Sequence, residues 1–503
     1  MRANADIMLL KRIAKGLVLL VLTVLVCRFT QGIGASLLAG VAILCAFTGR
    51  TGWSVLAYIL FPAMMIMNPF VLPKTGGMGI FLRSGIVVMS FVLMFTAAQR
   101  KGSSRIPISG IWIYLLVAIV SSIGGYYPQI SYLKIANFAL LMLGIGIGFS
   151  NIDKRVQDLE VIRTFLLTFV VFIVFGSYFV KIFMPGAAYL STLRMAYDVG
   201  LGEANAVAQT ATGKMLFAGI TNQSQCLAII LPSSLALLVC DMLFVERRIS
   251  KVHLAIILAG LPMVYMTGSR SAFLTTAVSC AVIYFYCLGK INISRRVRSS
   301  LRTVMTVGLL AIFVVCGVME VKNDSISKWL RKSEDVAGDT RGFGEAFTES
   351  RQGLIAETMY DFKRNPILGS GFQVSYEHQF WFKNHEGMIW TAPIEKGVLP
   401  MMVLGETGIV GEIAFLIFLS IFYMTCIRKK YFCCMTLMTA FIVSNMAEAN
   451  FFSPGGPGGM MWVLCVGGGF VIDMIALHRR RIERQLAELE RMQAKGMVPI
   501  QGR

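Results

Sequence analysis

From one end to the other, this chain is divided by apolar runs of roughly 16–25 residues, the length an α-helix needs to cross the hydrocarbon of a bilayer. Runs of that kind fold as helices, because hydrocarbon offers no partner to a backbone N–H or C=O and the chain must satisfy each one itself. Read as spans they number about fourteen. They cover residues 16–31, 33–48, 53–72, 80–98, 106–124, 132–149, 161–184, 223–244, 252–268, 271–288, 303–320, 398–426, 431–447 and 459–477. The expectation is an all-α, polytopic integral membrane protein, consistent with 56% hydrophobic and 15% charged residues.

A formal net charge of +20 raises nucleic acid as a partner. The lysines and arginines, however, fall in short clusters between apolar runs and not on one soluble face, so nucleic acid is excluded. Seven clusters fall on one side of the membrane if the spans alternate: Lys11, Arg12 and Lys15; Arg100, Lys101 and Arg105; Lys154 and Arg155; Arg247, Arg248 and Lys251; Arg295, Arg296 and Arg298; Arg428, Lys429 and Lys430; and Arg479, Arg480 and Arg481. The positive-inside rule makes that side cytoplasmic, with both termini inside. The first run lacks a convincing cleavage site, so the first helix is expected to be its own anchor. The 11 cysteines lie in or beside apolar runs without paired spacing, and read as small core residues.

The chain then divides into N-terminal membrane helices (1–184), a first external loop (185–222), helices carrying Arg270 (223–320), a large external loop (321–397), C-terminal helices (398–477) and a basic cytoplasmic tail (478–503). In the second loop Phe343, Phe347, Leu354, Ile355 and Phe362 recur at helical spacing. That helix should stop at Asn365-Pro366, since the residue before a proline is pushed out of the α region. Arg351 lies on the same apolar stripe and either faces an anion or snorkels to headgroups. The tail, Arg479 to Gln493, reads as a basic amphipathic helix with Ile482, Leu486, Leu489 and Met492 on one side, an anchor on the membrane surface.

The external face collects cations from separate segments: Arg194 and Lys214 in the first loop, Arg270 between two spans, Arg351 in the second loop and Lys396 just before a span. Such convergence at membrane depth points to a bound lipid phosphate or diphosphate, which the planar fork of arginine holds in bidentate contacts.

Four motifs on that face occur in order: Lys214, Gly219, Gln225 and Ala228; Thr267-Gly268-Ser269-Arg270; Ser350-Arg351 followed by Asn365-Pro366-Ile367-Leu368-Gly369-Ser370-Gly371-Phe372; and Leu404-Gly405-Glu406-Thr407-Gly408-Ile409-Val410-Gly411. Over roughly residues 190–420 the set resembles the O-antigen ligase/polymerase superfamily. The resemblance implies a GT-C-like glycosyltransferase of the bacterial inner membrane, without metal or other cofactor. Its donor would be an undecaprenyl-diphosphate-linked glycan, and its acceptor a glycan or lipid A core. Other partners would be membrane lipids and a chain-length regulator. Arg270 and Arg351 would hold the diphosphate, with Arg194, Lys214 and Lys396 around it. The sequence departs from the ligases in two places. Glu395-Lys396-Gly397 stands where they carry a His-Asn pair, and Ser224-Gln225 replaces the first-loop Pro-Asn.

In the chemistry this implies, an acceptor hydroxyl attacks the anomeric carbon and the lipid diphosphate leaves. Cations stabilise the charge that grows on the phosphate oxygens, and a base near the hydroxyl adds to the rate. Glu395 and His385 are the candidate bases. Glu395 is slightly favoured by position, against the alternative that it forms an ordinary ion pair with Lys396. Glu448 could orient an acceptor sugar with Phe451 or Phe452 stacking on it, or else belong to a Gly-Pro turn. Polymerisation is favoured over ligation by the missing His-Asn pair. A transporter or flippase, the more distant alternative, would want ionisable residues at mid-membrane and broken repeat helices.

Overall fold

The computed structural model describes residues 2–30, 32–49, 51–73, 78–98, 106–150, 152, 156–190, 216–290, 295, 298–299, 302–303, 306, 355–374, 398–447 and 449–494. Among them seven helices are long and apolar enough to cross a membrane and six apolar helices are shorter. They are α1 (Arg2–Thr30), α2 (Gly32–Phe47), α3 (Thr51–Met65), α4 (Met78–Ala98), α5 (Ile111–Ile123), α6 (Pro128–Ser150), α7 (Val156–Phe183), α8 (Ser224–Cys240), α9 (Lys251–Met266), α10 (Arg270–Val282), α11 (Leu399–Lys429), α12 (Phe432–Asn445) and α13 (Gly469–Ala494). The expected span 303–320 lies outside the described residues. The only strand pairing among the described residues joins β1 (Tyr189–Leu190) to β2 (Leu216–Phe217), antiparallel, and pins the two ends of the first long loop together.

Apolar length sets most helix bounds, and local chemistry shifts the rest. The run expected to end at residue 72 stops as a helix at Met65. Beyond it Asn68 is buried, its side-chain amide donating to the carbonyls of Ala187 at 2.8 Å and Gly219 at 3.1 Å. Three helices pass through π-helical turns, at Asp241–Glu246, Ile283–Cys287 and Val463–Gly468. In the second long loop a helix over 355–364 ends at Asn365-Pro366, where the proline argument places its stop. The tail helix is continuous with the last span, because α13 runs unbroken from Gly469 to Ala494. Ile482, Leu486, Leu489 and Met492 on it are exposed.

The bundle has two distinct ends. One, the basic end, gathers the N-terminal parts of α1, α7 and α9 with the far ends of α8 and α13. Arg163 is buried there and forms a fork with Asp241 (2.6 and 2.9 Å), and it also bonds Glu160 (3.0 Å) and Glu246 (2.5 Å). His253 Nε2 lies 2.8 Å from Asp241, and Arg248 pairs with Asp6 at 2.6 Å. Arg479 reaches the Val245 carbonyl at 2.6 Å.

Aromatic rings fill the interior. Tyr114 stacks on Phe452 (4.7 Å between centroids) and Phe441 on Phe451 (4.8 Å), while the Trp462 indole N–H donates to the Phe451 carbonyl. Phe451 and Phe452 are therefore fully buried. Of the two readings of this stretch, a sugar platform or a Gly-Pro turn, the burial fits the turn: both rings fold into the aromatic core, where burial of large apolar area outweighs exposure at the interface.

Candidate functional site at the motif end

The opposite end of the bundle carries the described parts of the four sequence motifs. Gly219 takes a left-handed φ of 56° between β2 and α8, where a side chain would run into Ser177, and Gln225 stands in the first turn of α8. Arg270 opens α10. Gly268 turns the chain at φ 65°, the buried Thr267 hydroxyl bonds the Val264 carbonyl at 2.8 Å, and the Ser269 and Ser271 hydroxyls lie 2.8 Å apart around the first turn. Near its other end the same helical stretch meets α12, where Cys287 lies 3.5 Å from the Thr436 hydroxyl.

The third and fourth motifs meet directly. Helix α11 breaks at Gly408 (φ 65°, ψ −166°), a conformation open essentially to glycine alone. Among the helix's own bonds that the break interrupts are those from Ile409 N–H to Gly405 C=O and from Val410 N–H to Glu406 C=O. The loop 366–371 repairs all four groups. Ile409 donates to Pro366 (3.0 Å) and Val410 to Ile367 (3.3 Å), while Ser370 donates to Gly405 (3.0 Å) and Gly371 to Glu406 (3.0 Å). This is the condition for irregular backbone at membrane depth: it persists where protein supplies the missing partners. Added side-chain carbons at Gly369 or Gly408 would overlap Glu406 or Ile367, so the approach itself requires glycine.

Helices α5 and α6 close the other side of this wedge. The Ser121 hydroxyl bonds the carbonyls of Leu368 and Glu406, Tyr126 N–H donates to Ser370 C=O (3.0 Å), and the Ser131 hydroxyl bonds Phe372 C=O (3.0 Å). Lys134, only 3% exposed, donates to Gln373 C=O at 2.8 Å. On the loop helix the buried Asp361 accepts a hydrogen bond from the Tyr126 hydroxyl (3.0 Å), and Arg364 lies 5.7 Å from the Tyr126 ring centre. Burial, aided by the Asp361 carboxylate, pushes the Tyr126 phenol up to about 12 and keeps it a donor. Lys181, in the last turn of α7, reaches the Met266 sulfur, just before the Arg270 motif.

Of the residues singled out in the sequence, Arg270 is described, and it stands at this end. Arg194, Lys214, Arg351, His385, Glu395, Lys396 and Glu448 lie outside the described residues. No protein-family model and no curated protein matches the chain. Lys134, Asp361 and Lys181 were missed by the sequence reading. Lys134 does leave a signal, being the one cation in the otherwise apolar run Pro128–Ser150. Among the described residues no group of three or more His, Cys, Asp or Glu is placed to hold a metal ion. The arrangement combines permanent positive charge at a bundle end, which attracts anions, with a rigid backbone framework that fixes where those charges stand.

Proposed function

We propose that this protein is a membrane glycosyltransferase that polymerises undecaprenyl-diphosphate-linked oligosaccharide units at the outer face of the bacterial cytoplasmic membrane. The observation that carries the reading is the meeting of the loop 365–372 with the Gly408 break, beside an end of the bundle where Arg270, Lys134 and Lys181 supply cations. Segments far apart in sequence, chosen for their likeness to one superfamily, are thereby joined in space. The basic end would face the cytoplasm by the positive-inside rule, and the motif end the donor side.

On this reading the diphosphate rests against Arg270 and Arg351, and each arginine gains in strength as the glycosyl–phosphate bond breaks. The acceptor hydroxyl gives its proton to Glu395 or His385 as it attacks the anomeric carbon, and the undecaprenyl diphosphate departs with the bonding pair. Protein purified in detergent and supplied with a lipid-diphosphate donor tests this. Arg270→Ala and Arg351→Ala should each lower transfer on the order of 10²–10³-fold, the usual cost of removing one charge-stabilising donor, while the protein still accumulates. Lysine should rescue only in part, since the fork is lost. Near-normal polymer from both alanine variants would sink the proposal.

A further inference from the structure

At the basic end, between the start of α5 and the ends of α6 and α11, lies a cavity of about 320 Å³ that the reaction does not use. Ile108, Trp112, Met142 and Ile147 form its apolar wall, Ser109, Ser150 and Thr425 add hydroxyls, and the exposed Lys429 stands at its rim. Gly146 keeps the space open, since the Ile108 side chain is already 3.0 Å from where a β-carbon would sit. The volume is at the low end of ligand sites, roughly 300–1,000 Å³, enough for a headgroup or the upper part of an acyl chain.

Charge decides the occupant. Elsewhere at this end several arginines are matched by carboxylates: Arg163 with Asp241, Arg247 with Glu483, and Arg248 with Asp6. At the cavity, among the described residues, Arg428, Lys429 and Lys430 make no ion pair, and Lys429 has only the Tyr431 ring, 5.9 Å away. Three cations at the end of one helix, beside an apolar slot with a half-buried tryptophan, suit an anion that carries its own hydrocarbon. We propose that this cavity binds an anionic phospholipid, its phosphate on Lys429 and its chain against Trp112 and Met142. The site is at the far end from the sequence motifs and stands or falls independently of the glycan reading.

The test uses the full chain in nanodiscs of mixed phosphatidylcholine and phosphatidylglycerol, with a trace of either lipid carrying a photoreactive acyl chain and adducts located by mass spectrometry. Phosphatidylglycerol should label residues 106–112 and 142–150 about fivefold more than phosphatidylcholine, the factor expected of roughly 1 kcal/mol per lysine at an anionic surface. Lys429→Ala, at an exposed position, should remove that preference, and Gly146→Leu should remove the labelling by filling the slot. Equal labelling by both lipids, or a preference that survives Lys429→Ala, overturns the proposal. Competition by inorganic phosphate would also overturn it, because the site would then take a free anion and not a lipid.

Discussion

At the basic end the helices are tied by ionised side chains, with Arg163 bridging Glu160, Asp241 and Glu246. At the motif end they are tied by main-chain groups, as loop 366–371 completes the hydrogen bonds that α11 loses at Gly408. The two ties carry different liabilities. A buried ion pair recovers the desolvation of its charges only while both partners are present. A backbone tie asks nothing of charge and depends instead on glycine at two or three positions. The motif end can therefore hold its shape largely with glycines and serines and, among its described residues, without a buried ion-pair hub of the kind Arg163 makes.

The largest effect should come from breaking the charge tie at one partner. Arg163→Met leaves Asp241 buried beside His253 without its cation, at a cost of about 3–5 kcal/mol, and should sharply reduce both accumulation in the membrane and melting temperature in detergent. Adding Asp241→Leu should restore much of the loss. If the double variant is no better than the single, the hub is not held by that pairing. Next comes Gly408→Ala, which forces a side chain into a glycine-only conformation costing on the order of 1–3 kcal/mol and against the Ile367 carbonyl. Here glycan transfer should fail well before stability does; transfer and melting temperature falling in step would mean the wedge is scaffold alone.

Lys134→Met sharpens the contrast further. It deletes the bond to Gln373 together with the charge that needed it, so stability should change by only about 1 kcal/mol, while transfer drops. Unchanged transfer would reduce Lys134 to a tie between α6 and the loop. The smallest effect is expected at Gly40, in α2, where nothing stands within 4 Å of an added β-carbon. Gly40→Ala should leave transfer intact and stabilise by up to about 1 kcal/mol through helix propensity; a loss of stability there would reveal a packing partner outside the described residues.

Helix positions were legible because apolar length and basic flanks act locally. The stop at Asn365-Pro366 was legible for the same reason, since a proline constrains its own neighbour. Pairings were not. Nothing near Arg163 in sequence announces Asp241, which lies in the π-helical turn after α8 and is brought across by packing. The resemblance picked out Gly405-Glu406-Thr407-Gly408 as a motif, yet a glycine inside an apolar run reads as a tolerated helix residue until its φ and its loop partner are seen. The sequence left two readings of Phe451 and Phe452, because an aromatic pair beside a Gly-Pro turn looks the same on paper whether it faces a sugar or a core. Asp361 and Lys134 became candidates only when the loop helix and α6 were placed against the same backbone.

The repair at Gly408 is also an exchange. Were α11 to straighten, Ile409 and Val410 would recover Gly405 and Glu406 as partners, and only the loop's own groups would be released to water. Four bonds would become two, at a net cost of roughly 1–3 kcal/mol if each is worth about 0.5–1.5. In hydrogen–deuterium exchange the amides of Ser370 and Gly371 would then report every such excursion, whereas those of Ile409 and Val410, protected in both arrangements, would stay silent.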